Sequence, residues 1–223
     1  MARWVILAGL LLAIYPTQAS ASALTLELDF EFSGGVDPGG ATPWLVATFD
    51  DSFGGANTVR LTMSAANLTG SEFAEVWLFN FDPALNPGSL SIAAVDISAV
   101  HAPNTSETTG TDAFMADGDG LFDIKFDFPP PPGNFDKKFT SGEVLTYDLT
   151  YISPITASSF DFPSVMGGGG GTFRSAAHVQ GIDGVMDPSG WIGDGSPVPE
   201  PASLWLFGLV ALAARRSLYR VSR

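Results

Sequence analysis

The sequence predicts an all-β fold, a single antiparallel β-sandwich or jelly-roll-like domain over residues 24–196. Three observations carry this. Apolar and polar residues alternate with a period of two in several separate segments. Gly, Pro, Asn and Asp cluster between those segments. No stretch of the same region offers a convincing helical stripe.

The first segment sets the pattern. Leu24, Leu26, Leu28, Phe30 and Phe32 fall on one face, and Thr25, Glu27, Asp29 and Glu31 on the other. This predicts a half-buried strand with the apolar set in one core and the acidic set in water. Val59, Leu61, Met63 and Ala65 repeat it. So do Phe122, Ile124, Phe126 and Phe128, and again Leu145, Tyr147, Leu149 and Tyr151. Trp44–Phe49, Val76–Phe81, Leu90–Val100 and Ala176–Ile182 are further strand candidates. Glu72–Leu78 could hold a helical turn, but Val76-Trp77-Leu78-Phe79 reads better as a strand. Gly34-Gly35, Asp37-Pro38-Gly39-Gly40, Asp82-Pro83, Asn86-Pro87-Gly88 and Pro129–Pro132 separate the strands. Four prolines cannot donate to a ladder and so belong in a loop. Gly167–Gly171 reads as a flexible loop. There is no internal repeat of fixed period, and one domain accounts for the length.

Charge and residue usage exclude several functions. Ten Lys and Arg stand against 24 Asp and Glu. Arg3, Arg215, Arg216, Arg220 and Arg223 lie in the terminal segments, as does Glu200. The domain therefore holds five basic and 23 acidic residues, a balance of −18. Such a surface repels phosphate backbones, which excludes nucleic acid as a partner. With no cysteine there are no disulfides, thiolate metal sites or cysteine nucleophiles. Only His101 and His178 are present, too few for most zinc sites.

Both ends read as signals. Residues 1–23 comprise Met1-Ala2-Arg3, an apolar run from Trp4 to Tyr15, and Ala19-Ser20-Ala21-Ser22-Ala23. This is the layout of a secretory signal peptide, and cleavage after Ala21 or after Ala23 satisfies the small-x-small rule. Residues 197–223 contain Pro199-Glu200-Pro201, an apolar run from Ala202 to Ala214, and Arg215-Arg216. Thirteen helical residues rise only about 20 Å against a hydrocarbon core of about 30 Å, so the run is a marginal transmembrane helix. The arginines would keep its end cytoplasmic and the domain outside.

Taken together, Pro199-Glu200-Pro201, the short apolar helix and Arg215-Arg216 resemble the PEP-CTERM sorting signal of Gram-negative bacteria. Ala176–Ile182 with Ser189–Asp194 resembles the stretch often found just before that signal. The resemblance implies an exosortase as processing partner and an exopolysaccharide-producing host. It implies export to the periplasm, outer surface or medium, with the precursor held in the inner membrane by its C-terminal helix. It assigns sorting and processing roles to Pro199, Glu200, Pro201, Arg215 and Arg216, and says nothing about what the domain does.

Within the domain, Asp117-Gly118-Asp119-Gly120 with Asp123 places oxygen ligands on a tight turn, as Ca²⁺ sites do. The segment lacks the closing glutamate of an EF-hand loop, and Asp and Gly are also ordinary turn formers. Metal ligands and cofactors are therefore not assigned. Paired carboxylates on acidic strand faces could serve a glycosidase, but nothing singles out a pair, and solvated faces explain them. His178 reads as a structural, hydrogen-bonding histidine. No G-x-S-x-G, H-E-x-x-H or G-x-G-x-x-G occurs. Trp44, Trp77 and Trp191 could form a sugar-stacking platform, against the ordinary reading of aromatic core. Asn67-Leu68-Thr69 and Asn104-Thr105-Ser106 match glycosylation sequons, which carry little weight in the bacterial context implied above. The leading reading is a non-enzymatic surface or matrix protein. The alternatives are a carbohydrate- or calcium-binding β-sandwich and a secreted hydrolase.

Overall fold

The computed structural model describes residues 22–97, 105–128, 138–168, 171–182 and 188–195. Among the described residues there are eleven strands: β1 (Ala23–Glu31), β2 (Leu45–Asp50), β3 (Thr58–Ser64), β4 (Phe73–Phe79), β5 (Ser91–Asp96), β6 (Ser106–Ala116), β7 (Asp119–Asp127), β8 (Phe139–Thr140), β9 (Val144–Thr150), β10 (Ser175–Gln180) and β11 (Ser189–Asp194). Every strand pair is antiparallel. The all-β expectation therefore holds, and Glu72–Leu78 gives a strand rather than a helical turn.

The expected two-sheet sandwich is replaced by one continuous sheet. Its order is β5-β9-β3-β2-β1-β11-β10-β4-β7-β6, with the short β8 pairing β4. Strands β9 and β7 are seven places apart in this order. Across a flat sheet they would lie about 34 Å apart. Yet Phe126 of β7 and Tyr147 of β9 have ring centroids 4.9 Å apart. The sheet is therefore bent over on itself, close to a barrel, with its two halves face to face. Phe49 of β2 meets Phe79 of β4 edge-on at 5.4 Å, and Phe160 stacks on Phe49 at 4.4 Å. The interior between the halves is filled by Leu26, Leu28, Leu61, Met63, Trp77, Phe79, Phe126, Tyr147 and Leu149, all buried. Removing one such ring, as in Phe126→Ala, costs about 3–5 kcal/mol.

Alternation locates the buried faces of β3 and β9, with only Thr58 at the start of β3 buried on the opposite face. In β1 it misleads beyond Leu28. The register against β11 runs Leu28↔Asp194, then Phe30↔Gly193, so Asp29 is an extra residue. This bulge flips the strand. Phe30 and Phe32 leave the main core and pack in a second cluster around Leu78, Ala116, Phe122, Phe173 and Ala176. Phe32 stacks on Phe173 at 4.3 Å. Glu31, expected in water, is half-buried, and its carboxylate accepts hydrogen bonds from the Ser33, Gly34 and Gly35 amides and from the Ser33 hydroxyl. Phe122 also leaves its expected set for the second cluster. Gly193 allows this packing: a Cβ there would sit 2.5 Å from the Phe173 ring.

Several expectations lie outside the described residues: the signal segment up to Ala21, Ser98–Val100 of the Leu90 strand, His101, Asn104, Pro129–Pro132 and part of the Gly167–Gly171 run. Among the described residues no helix is long and apolar enough to cross a membrane.

The Tyr147 hydroxyl is buried, with the Thr105 and Glu107 side chains beside it but no hydrogen bond of full geometry. Burial pushes its pKa up to about 12, and the nearby Glu107 charge adds to the shift. Tyr147→Phe should therefore be neutral or slightly stabilising at pH 7, because it removes an unsatisfied polar group. The unfolded phenol ionises near pH 10 and the folded one near 12. The wild type should accordingly lose about 2–3 kcal/mol relative to the Phe variant as pH rises through that window. Denaturant titrations of both proteins between pH 7 and pH 12 check the sign. A stability difference between the two proteins that stays constant across this range would contradict the assignment.

Candidate functional site

The Asp-Gly-Asp-Gly segment forms the turn between β6 and β7. Asp117 (φ 46°) and Gly118 (φ 84°) both adopt the left-handed conformation that a two-residue hairpin turn requires. Asp123, the third candidate ligand, is buried, and its carboxylate is occupied. It accepts from the Phe81 amide at 2.9 Å and from the Asp112 amide at 2.9 Å, tying β7 to the end of β4 and to an irregular point of β6. One carboxylate oxygen of Asp119 is buried without a partner. No group of three or more His, Asp or Glu side chains is gathered for a metal among the described residues.

The three tryptophans do not form one platform. Trp77 is fully buried and donates its indole N–H to Ser175 Oγ at 2.8 Å. Trp44 is buried and donates to the Gly40 carbonyl at 2.8 Å. Trp191 alone is partly exposed, on the outer face of β11, at the margin of the second apolar cluster. It faces His178 across the β10–β11 pair, and the two rings stack at 5.0 Å with 19° between their planes.

His178 is also fixed from β4. Its Nδ1 lies 2.9 Å from Glu75 Oε2, and Gln180 Nε2 donates to the same oxygen. Glu75 sits where the β10–β4 register shifts, between Ala74 and Val76, so it has no register partner in β10, while on the other side its carbonyl accepts the Phe128 amide at 2.7 Å. Lys138 joins this surface, its ammonium 3.6 Å over the Phe73 ring. Burial lowers the Lys138 pKa, and the Glu75 charge opposes that shift. Glu75, His178, Gln180 and Trp191 thus make a preorganised polar and aromatic patch on three adjacent strands. No hydroxyl nucleophile is bonded to the His178 ring among the described residues, so no triad is assembled. The spacing of His178 and Gln180 on one strand face is visible in the sequence. The contribution of Glu75 is not, because it depends on a register shift.

A second concave region lies at the end of β11. It has a volume of about 270 Å³ and is lined by Thr25, Glu27, Asp29, Arg174, Asp194 and Gly195. Arg174, Asp194, Asp29 and Gly195 are bonded within it or at its rim. Arg174 donates through Nε to Asp194 at 2.6 Å and through Nη1 to Asp161 at 3.0 Å. Asp194 also accepts the Arg174 and Ser175 amides, and Asp29 accepts the Gly195 amide. Burial raises the Asp194 pKa, and the Ser175 amide and Arg174 oppose that shift. The region latches the last residues of β11. The sorting residues Pro199, Glu200, Pro201, Arg215 and Arg216 lie outside the described residues.

This geometry predicts that millimolar Ca²⁺ leaves the melting temperature unchanged, since a specific site would raise it by mass action. A scan with added Ca²⁺ and with chelator checks this. A clear rise that Asp119→Ala abolishes would show that the turn binds the ion.

No curated protein and no solved structure matches the chain. Residues 197–220, shortly beyond the end of β11, match the PEP-CTERM protein-sorting motif, a C-terminal signal that implies export.

Proposed function

We propose that the chain is a non-enzymatic surface or extracellular-matrix protein of a Gram-negative, exopolysaccharide-producing bacterium, released from the inner membrane by an exosortase. One observation carries the reading: residues 197–220, just after the last strand β11 ends at Asp194, match the sorting motif. The domain and its address are thus directly joined. In this reading Ala202–Ala214 forms a short helix that holds the precursor in the membrane. Arg215 and Arg216 anchor its cytoplasmic end, because burying a charged side chain costs several kcal/mol. Prolines on both sides of Glu200 disfavour helix there and keep the edge extended for the enzyme. Support for a non-enzymatic domain comes from its carboxylates. Glu31, Glu72 and Asp123 are committed to backbone amides.

Intact mass of the protein recovered from its native host tests the reading. The expected form lacks the arginine tail, and replacing Arg215 and Arg216 by alanine impairs its release. A form that keeps Arg223 while stably embedded in membrane contradicts it, and the segment is then an ordinary short anchor.

The patch of Glu75, His178, Gln180 and Trp191 favours a second reading, in which the domain also binds carbohydrate. An aromatic face beside fixed polar groups suits a sugar ring, with its apolar face and its hydroxyls. A glycan array of the mature protein, with and without Ca²⁺, checks this. Binding lost in Trp191→Ala supports it, and binding unchanged in that variant contradicts it.

A further inference from the structure

The N-terminal edge of the domain carries a carboxylate without a cation. Asp51 lies just beyond β2, opposite the start of β1. Its two oxygens accept hydrogen bonds from the Ser22 backbone nitrogen at 2.6 Å and from the Ser22 hydroxyl at 2.8 Å. The Asp51 amide in turn donates to the Ser22 carbonyl at 3.1 Å. Asp51 also accepts the Ala157 amide at 3.1 Å. That links it to the 3-10 turn Ala157–Phe160, whose Phe160 stacks on Phe49 in the core. Burial works against ionisation of Asp51, but the Ser22 and Ala157 hydrogen bonds outweigh it and hold its carboxyl below the usual range. No salt bridge among the described residues reaches Asp51.

We propose that the export signal is cut between Ala21 and Ser22, and that Asp51 captures the new N-terminus as an ion pair. This rests on the reading of residues 1–21 as an export signal. The sequence leaves two small-x-small sites, after Ala21 and after Ala23. The structure separates them. Cutting after Ala23 discards Ser22, and with it three of the hydrogen bonds that tie Asp51 in place. Cutting after Ala21 keeps all three and strengthens one. Water adds across the Ala21–Ser22 amide, its oxygen going to the Ala21 carbonyl carbon and its protons to the products. Ala21 leaves as a carboxylate, and Ser22 gains an α-ammonium. A free α-amino group has a pKa near 7.7–8.0, so it is mostly protonated at neutral pH. The nitrogen that donated as a neutral amide then donates as a cation, directly against the carboxylate. The amide contact exists before cutting, so the domain can fold in the precursor.

The test is intact mass and thermal melting of the exported protein, made from the precursor with its own leader in a Gram-negative host. Wild type and Ala23→Leu should both begin at Ser22, since the latter blocks only the later site. Ala19→Glu, which blocks only the earlier site, should abolish or displace processing. Selective acetylation of the Ser22 amine should lower the melting temperature by about 2 °C. The same treatment should have no effect in Asp51→Asn. An exported form beginning at Ala23 or Leu24 overturns the inference and leaves export standing. So does acetylation that acts equally on wild type and Asp51→Asn. A protein that keeps residues 1–21 overturns the export reading as well.

Discussion

The pairing of β1 with β11 holds the two ends of the domain together in the middle of the sheet, and the rest of the structure depends on it. On one side β1 continues through β2, β3 and β9 to β5. On the other, β11 continues through β10, β4 and β7 to β6. Without this single pairing the sheet is two separate halves, and the core between them has no common frame. The pairing is irregular at Asp29, where one extra residue bends the strand. The Asp29 carboxylate secures that point by accepting the Gly195 amide at 3.0 Å. The bend turns Leu26 and Leu28 toward the main core, and Phe30 and Phe32 toward the second cluster. One chain segment thus feeds both apolar clusters. The sorting motif follows β11, one of these two strands.

The acidic balance of the domain has a structural use beyond solubility. An antiparallel fold with long loops exposes many backbone amides that no strand satisfies. Glu72, almost fully buried, accepts the Gly39 and Thr69 amides, each at 2.6 Å. Glu31 closes the turn at residues 33–35, and Glu143 accepts the Thr140 amide at 2.6 Å. Asp51, Asp123 and Asp194 do the same for amides far away in sequence. A charged acceptor makes a stronger bond than a neutral one. In a chain without cysteine these carboxylates hold loops as disulfides do in many small secreted domains.

Much of the fold was legible because alternation reports burial directly. Val59, Leu61 and Met63, and Leu145, Tyr147 and Leu149, are all fully buried. Strand β6 was not legible. As an edge strand exposed along most of its length, Ser106–Ala116 needs no apolar face. Strand β11 was read only as part of a resemblance, since Gly190 and Gly193 replace the side chains that would show a period of two. Those glycines answer to close neighbours: a Cβ at Gly190 would sit 2.5 Å from the Val36 carbonyl oxygen. The bulge at Asp29 was invisible because it leaves the alternation of residue types intact while reversing the face they occupy. The Glu75–His178–Trp191 patch was half legible. His178 and Trp191 stood out as residues, but their contact requires the β10–β11 register, and Glu75 requires the shift in β4. The sorting motif needed no fold at all, being a local pattern of composition.

Native-state amide hydrogen exchange of the processed protein tests the central claim, that β1 and β11 are the clamp of a single cooperative sheet. The amides of Leu26, Leu28, Trp191 and Ile192 should exchange only by global unfolding, as slowly as those of β3 and β4. Fast exchange in β11 by local opening, with β2, β3 and β9 still protected, would contradict the account. It would show that the halves are stable separately and that the terminal pairing is an accessory to them.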